Sequence, residues 1–591
     1  MMPLCYESIC DAKDDNATIV VSFKRIGSNN SSVSAKTVWY LPDRPDLQTR
    51  EDIELQMALL YEELNRGVDI YTLDMRGTKN STALTCNSSI DESPLQNAIF
   101  AQKRRTSASR DVEKAITQFQ SGSQVVVYAL GYGTLLAQEL LRRGISQVVG
   151  YVFDGALGGL ESTTDSAALP AISYQISKSD EDFGQVAADF LTWCQLDADC
   201  STKFSNVSST TTLNTTLVEV YSRLDADPTS MCAMILMGVD TSESSITPPS
   251  YLLRQLLGLM MKDTALWSFV PVVVYRFHRC GSKDLSLLTH LVYSTFEIDA
   301  GANTPELIYA IQAFSELWEV PSPSQALLTE RFTNQAISSG RVYTQLEAYC
   351  LLTSNACINV SASANLLSVG PVLSYADKPV NVSAAAISSE TSVLVFSGGL
   401  DVFAPPKYAT ALFDAIQTVN KELLVAPYGT HGVVQTALLS NGFSCARRVL
   451  ASFVNAGGNL SAYDASCMAA LSTPGLAVSI SSSLLVLGVQ DAYEGVLLNV
   501  SIGTSSSGST DVLTDCDNTL NSLVGTVLVI YQRHRKQQLK GEETILQQMR
   551  GDEGNEIEFM RSIYLLSSSL PSSDRQAETA IGRVPTNLRY N

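Results

Sequence analysis

The run Val125-Val126-Val127-Tyr128-Ala129-Leu130-Gly131-Tyr132-Gly133-Thr134-Leu135 reads as a strand, a sharp turn and the start of a helix. A strand and helix joined in the pattern G-x-S-x-G hold a serine at a strained apex, where its hydroxyl projects ready to attack a carbonyl. Here the apex residue is Gly131. Glycine accepts positive φ at no steric cost, so the turn can persist while the nucleophile is gone. Thr134 carries an aliphatic hydroxyl nearby, but it falls in the first helical turn, where a hydroxyl caps backbone N–H groups instead. The chain has only four histidines, His278, His290, His431 and His534, too few for a zinc cluster. His431 lies in the loop Pro427-Tyr428-Gly429-Thr430-His431-Gly432, and Asp401 follows the pair Gly398-Gly399.

The elements that must position these residues alternate. Strand-like runs occur at Thr18–Phe23, Thr37–Leu41, Asp69–Leu73, Val125–Tyr128, Val148–Phe153, Val393–Phe396 and Glu422–Ala426. The later ones are nearly continuous in apolar residues, as parallel strands covered on both faces are. Glu51–Arg66 and Thr134–Arg143 have apolar residues at three- and four-residue spacing, which suits crossover helices over a parallel sheet. The expected class is α/β, with a mostly parallel sheet. Between 158 and 385 helical segments such as Pro249–Lys262 and Thr304–Trp318 dominate, so a helical cap is expected there. The expected organisation is hydrolase core over 1–157, cap over 158–385, second core portion over 386–495 and linker over 496–519, followed by the short apolar segment with its basic flank over 520–536 and a polar, disordered tail over 537–591.

A chain of 591 residues that is 45% hydrophobic exceeds what one core normally buries, which fits one domain with a large insertion. A net charge of −20 argues against nucleic acid as a partner, because phosphate binding needs clustered Lys and Arg. Asn-x-Ser/Thr acceptors stand at Asn16, Asn29, Asn30, Asn80, Asn87, Asn206, Asn214, Asn359, Asn381, Asn459 and Asn499. Twelve cysteines include the close pairs Cys194/Cys200 and Cys350/Cys357 and the wider pair Cys445/Cys467, which suits an oxidising compartment. Both features point to the secretory pathway or the cell exterior, yet Met1–Glu7 has no basic n-region and no apolar run. A gene model missing its first exon is favoured over a protein that is not secreted. Leu520–Tyr531 is shorter than the roughly 20 residues a membrane span needs, although Arg533-His534-Arg535-Lys536 resembles a stop-transfer flank. Two readings stay open, a short interfacial segment and a truncated membrane tether.

Several segments, in matching order over about residues 1–495, resemble the serine peptidase family that contains prolyl and tripeptidyl aminopeptidases, a group of α/β-hydrolases with an inserted cap. Val68–Thr78 resembles its strand followed by D-x-R-G-x-G-x-S, and the elbow at 129–133 comes next. Phe153-Asp154-Gly155 is similar to the strand after the elbow helix. Val393–Pro405 resembles the acid strand and loop, Pro427–Gly432 the histidine loop, and Cys445 to Cys467 the final paired cysteines. The chain order of nucleophile position, acid and histidine is that of α/β-hydrolases.

The resemblance assigns the nucleophile position to Gly131, the acid to Asp401 and the base to His431. It places the oxyanion loop at Leu41-Pro42-Asp43-Arg44-Pro45-Asp46, where Asp43 and Arg44 replace the expected glycines and Asp43 or Asp46 is expected to repel an oxyanion. It also sets Glu316 and Glu319 where relatives hold a substrate's α-amino group, beside the plainer reading of an exposed amphipathic helix. His278 is read as structural. Bridges Cys194–Cys200 and Cys445–Cys467 are expected, and no cofactor. The resulting expectation is a peptidase-like chain without turnover that binds a peptide or protein, possible ligands entering by a free N-terminus. An active exopeptidase with a sequence error at the elbow and a membrane-tethered interaction protein are the alternatives. Gly131→Ser is expected to restore a hydroxyl within reach of His431, with turnover needing Asp43→Gly and Arg44→Gly as well.

Overall fold

The computed structural model describes residues 1–3, 6, 18–29, 36–44, 47–78, 80–82, 104–120, 122–158, 173–205, 211–238, 247–300, 312–319, 322–345 and 387–497. The strands are β1 (Met2–Pro3), β2 (Thr18–Ile19), β3 (Phe23–Ile26), β4 (Lys36–Leu41), β5 (Asp69–Leu73), β6 (Gln124–Leu130), β7 (Val148–Asp154), β8 (Ser392–Gly398) and β9 (Lys421–Ala426). β1 and β2 form a small antiparallel pair, and the other seven make one sheet in the order β3-β5-β4-β6-β7-β8-β9. Every pairing in it is parallel except that of β3 with β5. The expected single strand Thr18–Phe23 is split, because Thr18–Ile19 pairs with β1 while Phe23–Ile26 pairs with β5.

Alternation along the strands builds two cores. Trp39, Val125, Val127, Phe153, Val393 and Val395 face the helices Arg104–Phe119, Gly133–Arg143 and Pro406–Ala415. Val38, Tyr40, Val126, Tyr128, Val152, Leu394 and Phe396 face Arg50–Glu63 and Cys445–Asn455. Successive residues thus bury on opposite faces, the period-two pattern of a sheet covered on both sides. Among the described residues between β7 and β8 there are helices and no strand, the longest being Ser179–Leu196, Leu213–Ala226, Pro249–Met261 and Ser282–Ala300.

These helices enclose a third apolar cluster that includes Phe190, Leu253, Val273 and Leu288. Leu476, Leu487, Val489, Ala492 and Tyr493 bury in that same cluster. The end of the expected second core portion therefore packs with these helices, as do Leu400 and Val402 of the loop after β8. Arg276 fixes it there by donating to the carbonyls of Ala492 (2.7 Å) and Gly495 (2.9 Å), while Arg279 reaches Tyr493 O (2.8 Å) and the Glu494 carboxylate (2.7 Å). The structure also pairs Cys232 with Cys280, 48 residues apart, a bridge for which no short spacing gives a signal, and joins Cys194–Cys200 and Cys445–Cys467. Cys350 and Cys357 lie outside the described residues, as do Thr304–Ile311 of the expected cap helix and the apolar segment 520–531. No helix among the described residues is long and apolar enough to cross a membrane.

Candidate active site

Strand order sets the site. β4 leads through Arg50–Glu63 to β5 on one side, and the chain then returns through Arg104–Phe119 to β6 on the other side of β4. That reversal leaves a crevice at the carboxyl ends of β4 and β6, where ligands bind in open α/β sheets. The register pairs Leu41 with Ala129. Two residues further on, Asp43 and Gly131 emerge side by side.

Gly131 has φ +51° and starts the turn into Gly133–Arg143. Its N–H donates to Asp154 O (3.0 Å), and its carbonyl accepts from Thr134 N (3.0 Å) and the Thr134 hydroxyl (2.6 Å). The Thr134 Oγ1 in turn accepts from Leu157 N (3.1 Å) and is fully buried, so it is committed to backbone. A Cβ on Gly133 would collide with the Leu41 carbonyl, which is why the start of the elbow helix can lie against the loop after β4.

That loop brings in Asp43. Asp43 N donates to Gln48 Oε1 (3.1 Å), Gln48 Nε2 donates to the Tyr40 hydroxyl, and the loop ends in a reciprocal cap between Thr49 and Asp52. The Asp43 carboxylate is 4% exposed and occupies the space above the elbow, so that a Cβ on Gly131 would fall on it. Its Oδ1 accepts from Tyr132 N (2.6 Å) and Arg44 N (2.7 Å), and its Oδ2 faces His431 Nε2 at 2.8 Å. The first two donors are the backbone N–H groups of the residue after Gly131 and of the loop following β4.

The expectation of a charge that repels an oxyanion takes a different form here: Asp43 is itself the anion that these N–H groups hold, and they persist because a main-chain N–H does not depend on the side chain of its residue. A serine at 131 would find its place taken. Asp46 lies outside the described residues.

His431 is held from the far side. Its Nδ1 is 2.9 Å from Asp401 Oδ2, and Asp401 Oδ1 accepts from Phe403 N (2.9 Å) and Ala404 N (2.8 Å). The Phe403 ring stands edge-on to the imidazole, and a Cβ on Gly155 would come within 2.7 Å of His431 Cε1. Under the loop, the fully buried Asp154 accepts from Val433 N (2.7 Å), Val434 N (2.9 Å) and the Tyr128 hydroxyl (3.2 Å). Sequence reasoning did not single out Asp154 for this role; its place at the end of β7, beside the elbow, was the available signal.

The charges lock together. Burial alone would lower the His431 pKa, but the Asp401 charge and hydrogen bond, followed by those of Asp43, hold it well above the usual histidine value. For Asp43, burial would raise the carboxyl, and the hydrogen bond and charge of His431 with the nearby Arg44 bring it below the ordinary value. Each ring nitrogen of His431 faces a carboxylate oxygen, so the imidazole is held as a cation between two carboxylates, with no lone pair to accept a proton. Burial pushes Asp154 up to about 6 against the opposing backbone hydrogen bonds.

The two cap carboxylates diverge. Glu316 Oε2 accepts from the hydroxyl of Tyr132, next to the elbow, which brings it to the crevice. Glu319 is instead paired with Arg331, accepts from the Ser177 hydroxyl (2.7 Å) and lies 3.8 Å from Lys178, so its charge is spent within the protein. His278 is on the surface, 3.6 Å from Glu219. Among the described residues no group of His, Cys, Asp and Glu is arranged to hold a metal ion.

No family model matches this chain, and no curated protein matches it by sequence. Among solved structures it is similar to a proline iminopeptidase from Mycobacterium smegmatis (13% identity over 74% of this chain and 96% of that one, TM-score 0.31). A soluble variant of monoglyceride lipase from Saccharomyces cerevisiae is similar at 11% identity (78% and 97% covered, TM-score 0.32), and an esterase from Exiguobacterium antarcticum at 13% (70% and 90%, TM-score 0.28). At such scores the assignment rests on the chain's own topology. With a mostly parallel sheet, an elbow after β6, and an acid and a histidine following the last two strands in that order, the protein has the α/β-hydrolase fold.

Proposed function

We propose that this chain is a serine-peptidase-like hydrolase homologue that has lost hydrolysis and uses its cleft to bind a peptide or protein without cutting it. The observation that carries this reading is the Asp43 carboxylate lodged between His431 Nε2 and Tyr132 N, over an elbow residue with no side chain. Acyl transfer by a triad needs a hydroxyl at 131, a neutral imidazole to take its proton and an empty oxyanion hole. All three are lacking together. Loss of a triad nucleophile alone removes about six orders of magnitude of turnover. The peptidase-like order of segments favours a peptide as ligand, and Glu316, whose carboxylate accepts from the Tyr132 hydroxyl next to the elbow, is the group proposed to meet a cationic N-terminus.

The test is direct. The purified protein is offered aminoacyl and tripeptidyl fluorogenic substrates and a serine-reactive fluorophosphonate, and it should neither turn over nor label. Hydrolysis at ordinary enzymatic rates that disappears in His431→Ala would refute the reading. Free-amine and N-acetylated peptides should also differ in affinity, and equal binding would remove the role given to Glu316.

We place the protein in the secretory pathway or outside the cell. Of its candidate glycosylation positions, Asn29, Asn80, Asn214 and Asn459 fall in the described residues, and all are exposed. The three disulfide bridges among the described residues support the same compartment. Treatment of the native protein with an N-glycosidase should lower its apparent mass; an unchanged mass in a glycosylating host counts against the placement. A membrane tether through 520–531 is a further proposal, tested by whether detergent is needed to extract the full chain.

A further inference from the structure

The donors around the Asp43 carboxylate come from three places. Tyr132 N opens the elbow helix, Arg44 N lies in the loop after β4, and His431 Nε2 belongs to the loop after β9. Each is fixed by contacts that do not involve the carboxylate. The elbow is tied by Gly131 N to Asp154 O, the loop by Leu47 N and Gln48 N to Arg44 O, and the imidazole by Asp401. The charge of Arg44 also falls on this point. A seat built in this way, with two N–H groups on one oxygen and a cation on the other, matches any carboxylate and not the aspartate side chain alone.

We propose that this seat is a binding site for a monocarboxylate, filled in cis by Asp43, which an external carboxylate occupies when Asp43 is withdrawn. The inference deepens the reading of a non-cleaving cleft and rests on it for its biological sense: a short peptide ending in a free carboxylate, or a fatty acid, presents the group that hydrolysis at this place would have produced. Position favours Asp43, because it competes from the same chain at high effective concentration. A ligand must therefore gain contacts elsewhere in the crevice to displace it.

Asp43→Ala empties the seat and leaves all three donors. Its melting temperature is measured in sodium formate and in sodium chloride at equal ionic strength, beside the unmodified protein and Asp43→Ala/His431→Ala. Formate should raise the melting temperature of Asp43→Ala saturably, as a ligand that binds only the folded state does. It should leave the unmodified protein unchanged and lose most of its effect in the double variant. Equal melting of Asp43→Ala in formate and chloride overturns the proposal. Should Asp43→Ala not fold in chloride, folding restored by formate supports the site, and failure of formate to restore either it or Asp43→Ser overturns it. Competition against formate by triglycine and by octanoate distinguishes the two sources: the stronger competitor identifies a peptide or a lipid end, and competition by neither overturns the claim that larger carboxylates enter. Hydrolysis by the unmodified protein would sink the non-cleaving reading while leaving the formate result intact, so the two can fail separately.

Discussion

Gly131→Ala puts a methyl group where the Asp43 carboxylate now lies, on a backbone at φ +51°. The left-handed conformation costs a non-glycine residue about 1–2 kcal/mol. Expelling Asp43 breaks a buried pair with His431, which costs about 3–5 kcal/mol because the remaining charge loses its partner. Gly131→Ala should therefore destabilise the fold by about 4–7 kcal/mol. Asp43→Ala removes the same pair from the other side, at about 3–5 kcal/mol. In Gly131→Ala/Asp43→Ala the pair is lost only once and the collision is gone, so the double variant should cost no more than Gly131→Ala alone. The two substitutions then couple by about 3–5 kcal/mol, well outside the roughly 0.5 kcal/mol within which independent sites add. The assay is urea unfolding of the four proteins with a common slope. Additive losses would show that Asp43 does not occupy the space above residue 131, and the account of the site would fall with it.

The same geometry sets the remaining expectations. Fluorophosphonate labelling should return in Gly131→Ser/Asp43→Gly and not in Gly131→Ser alone, and it should not require Arg44→Gly, since the donor at 44 is a backbone N–H; labelling of Gly131→Ser by itself would refute this. Because the folded pKa of His431 is raised, its stabilisation is complete below its unfolded value of about 6.5 and is lost as pH rises through the folded value. The Asp43 pKa is lowered, so its stabilisation is present above about 3.8 and lost as pH falls. Unfolding free energies measured from pH 3 to 10 should flatten at both limbs in Asp43→Asn/His431→Gln, and unchanged limbs would refute the assignment. Asp154, raised from 3.8 to about 6, opposes folding once ionised, by about 3 kcal/mol at most above pH 6. Asp154→Asn should remove the corresponding decline between pH 4 and 6, which the same titration reads. Closing the 48-residue separation between Cys232 and Cys280 should contribute about 4 kcal/mol, so Cys232→Ala/Cys280→Ala should unfold at distinctly lower urea concentration, and non-reducing peptide mapping should recover the bridge.

What the sequence by itself determined is local. The apolar runs at 125–128, 148–153 and 393–396 form strands because a stretch covered on both faces has to be apolar throughout, and that is visible without knowing its neighbours. The elbow was legible for the same reason: a turn that needs positive φ selects glycine, whatever stands around it. Asp401 and His431 were singled out by the resemblance of their loops to a known family, and the structure sets them 2.9 Å apart. Tertiary structure alone decided what fills the site. Asp43 and His431 are separated by 388 residues, and the aspartate meets the elbow only because β4 pairs with β6 in the register that aligns Leu41 with Ala129. By sequence Asp43 reads as a charge hostile to an oxyanion; in the fold it is the anion, neutralised by donors from three loops. The pairing of Glu319 with Arg331, the Cys232–Cys280 bridge and the packing of Leu476–Tyr493 on the cap were hidden in the same way. Hydrogen bonds and ion pairs between distant segments depend on which strands lie side by side, and a periodic pattern specifies that a strand exists but not which neighbour it chooses.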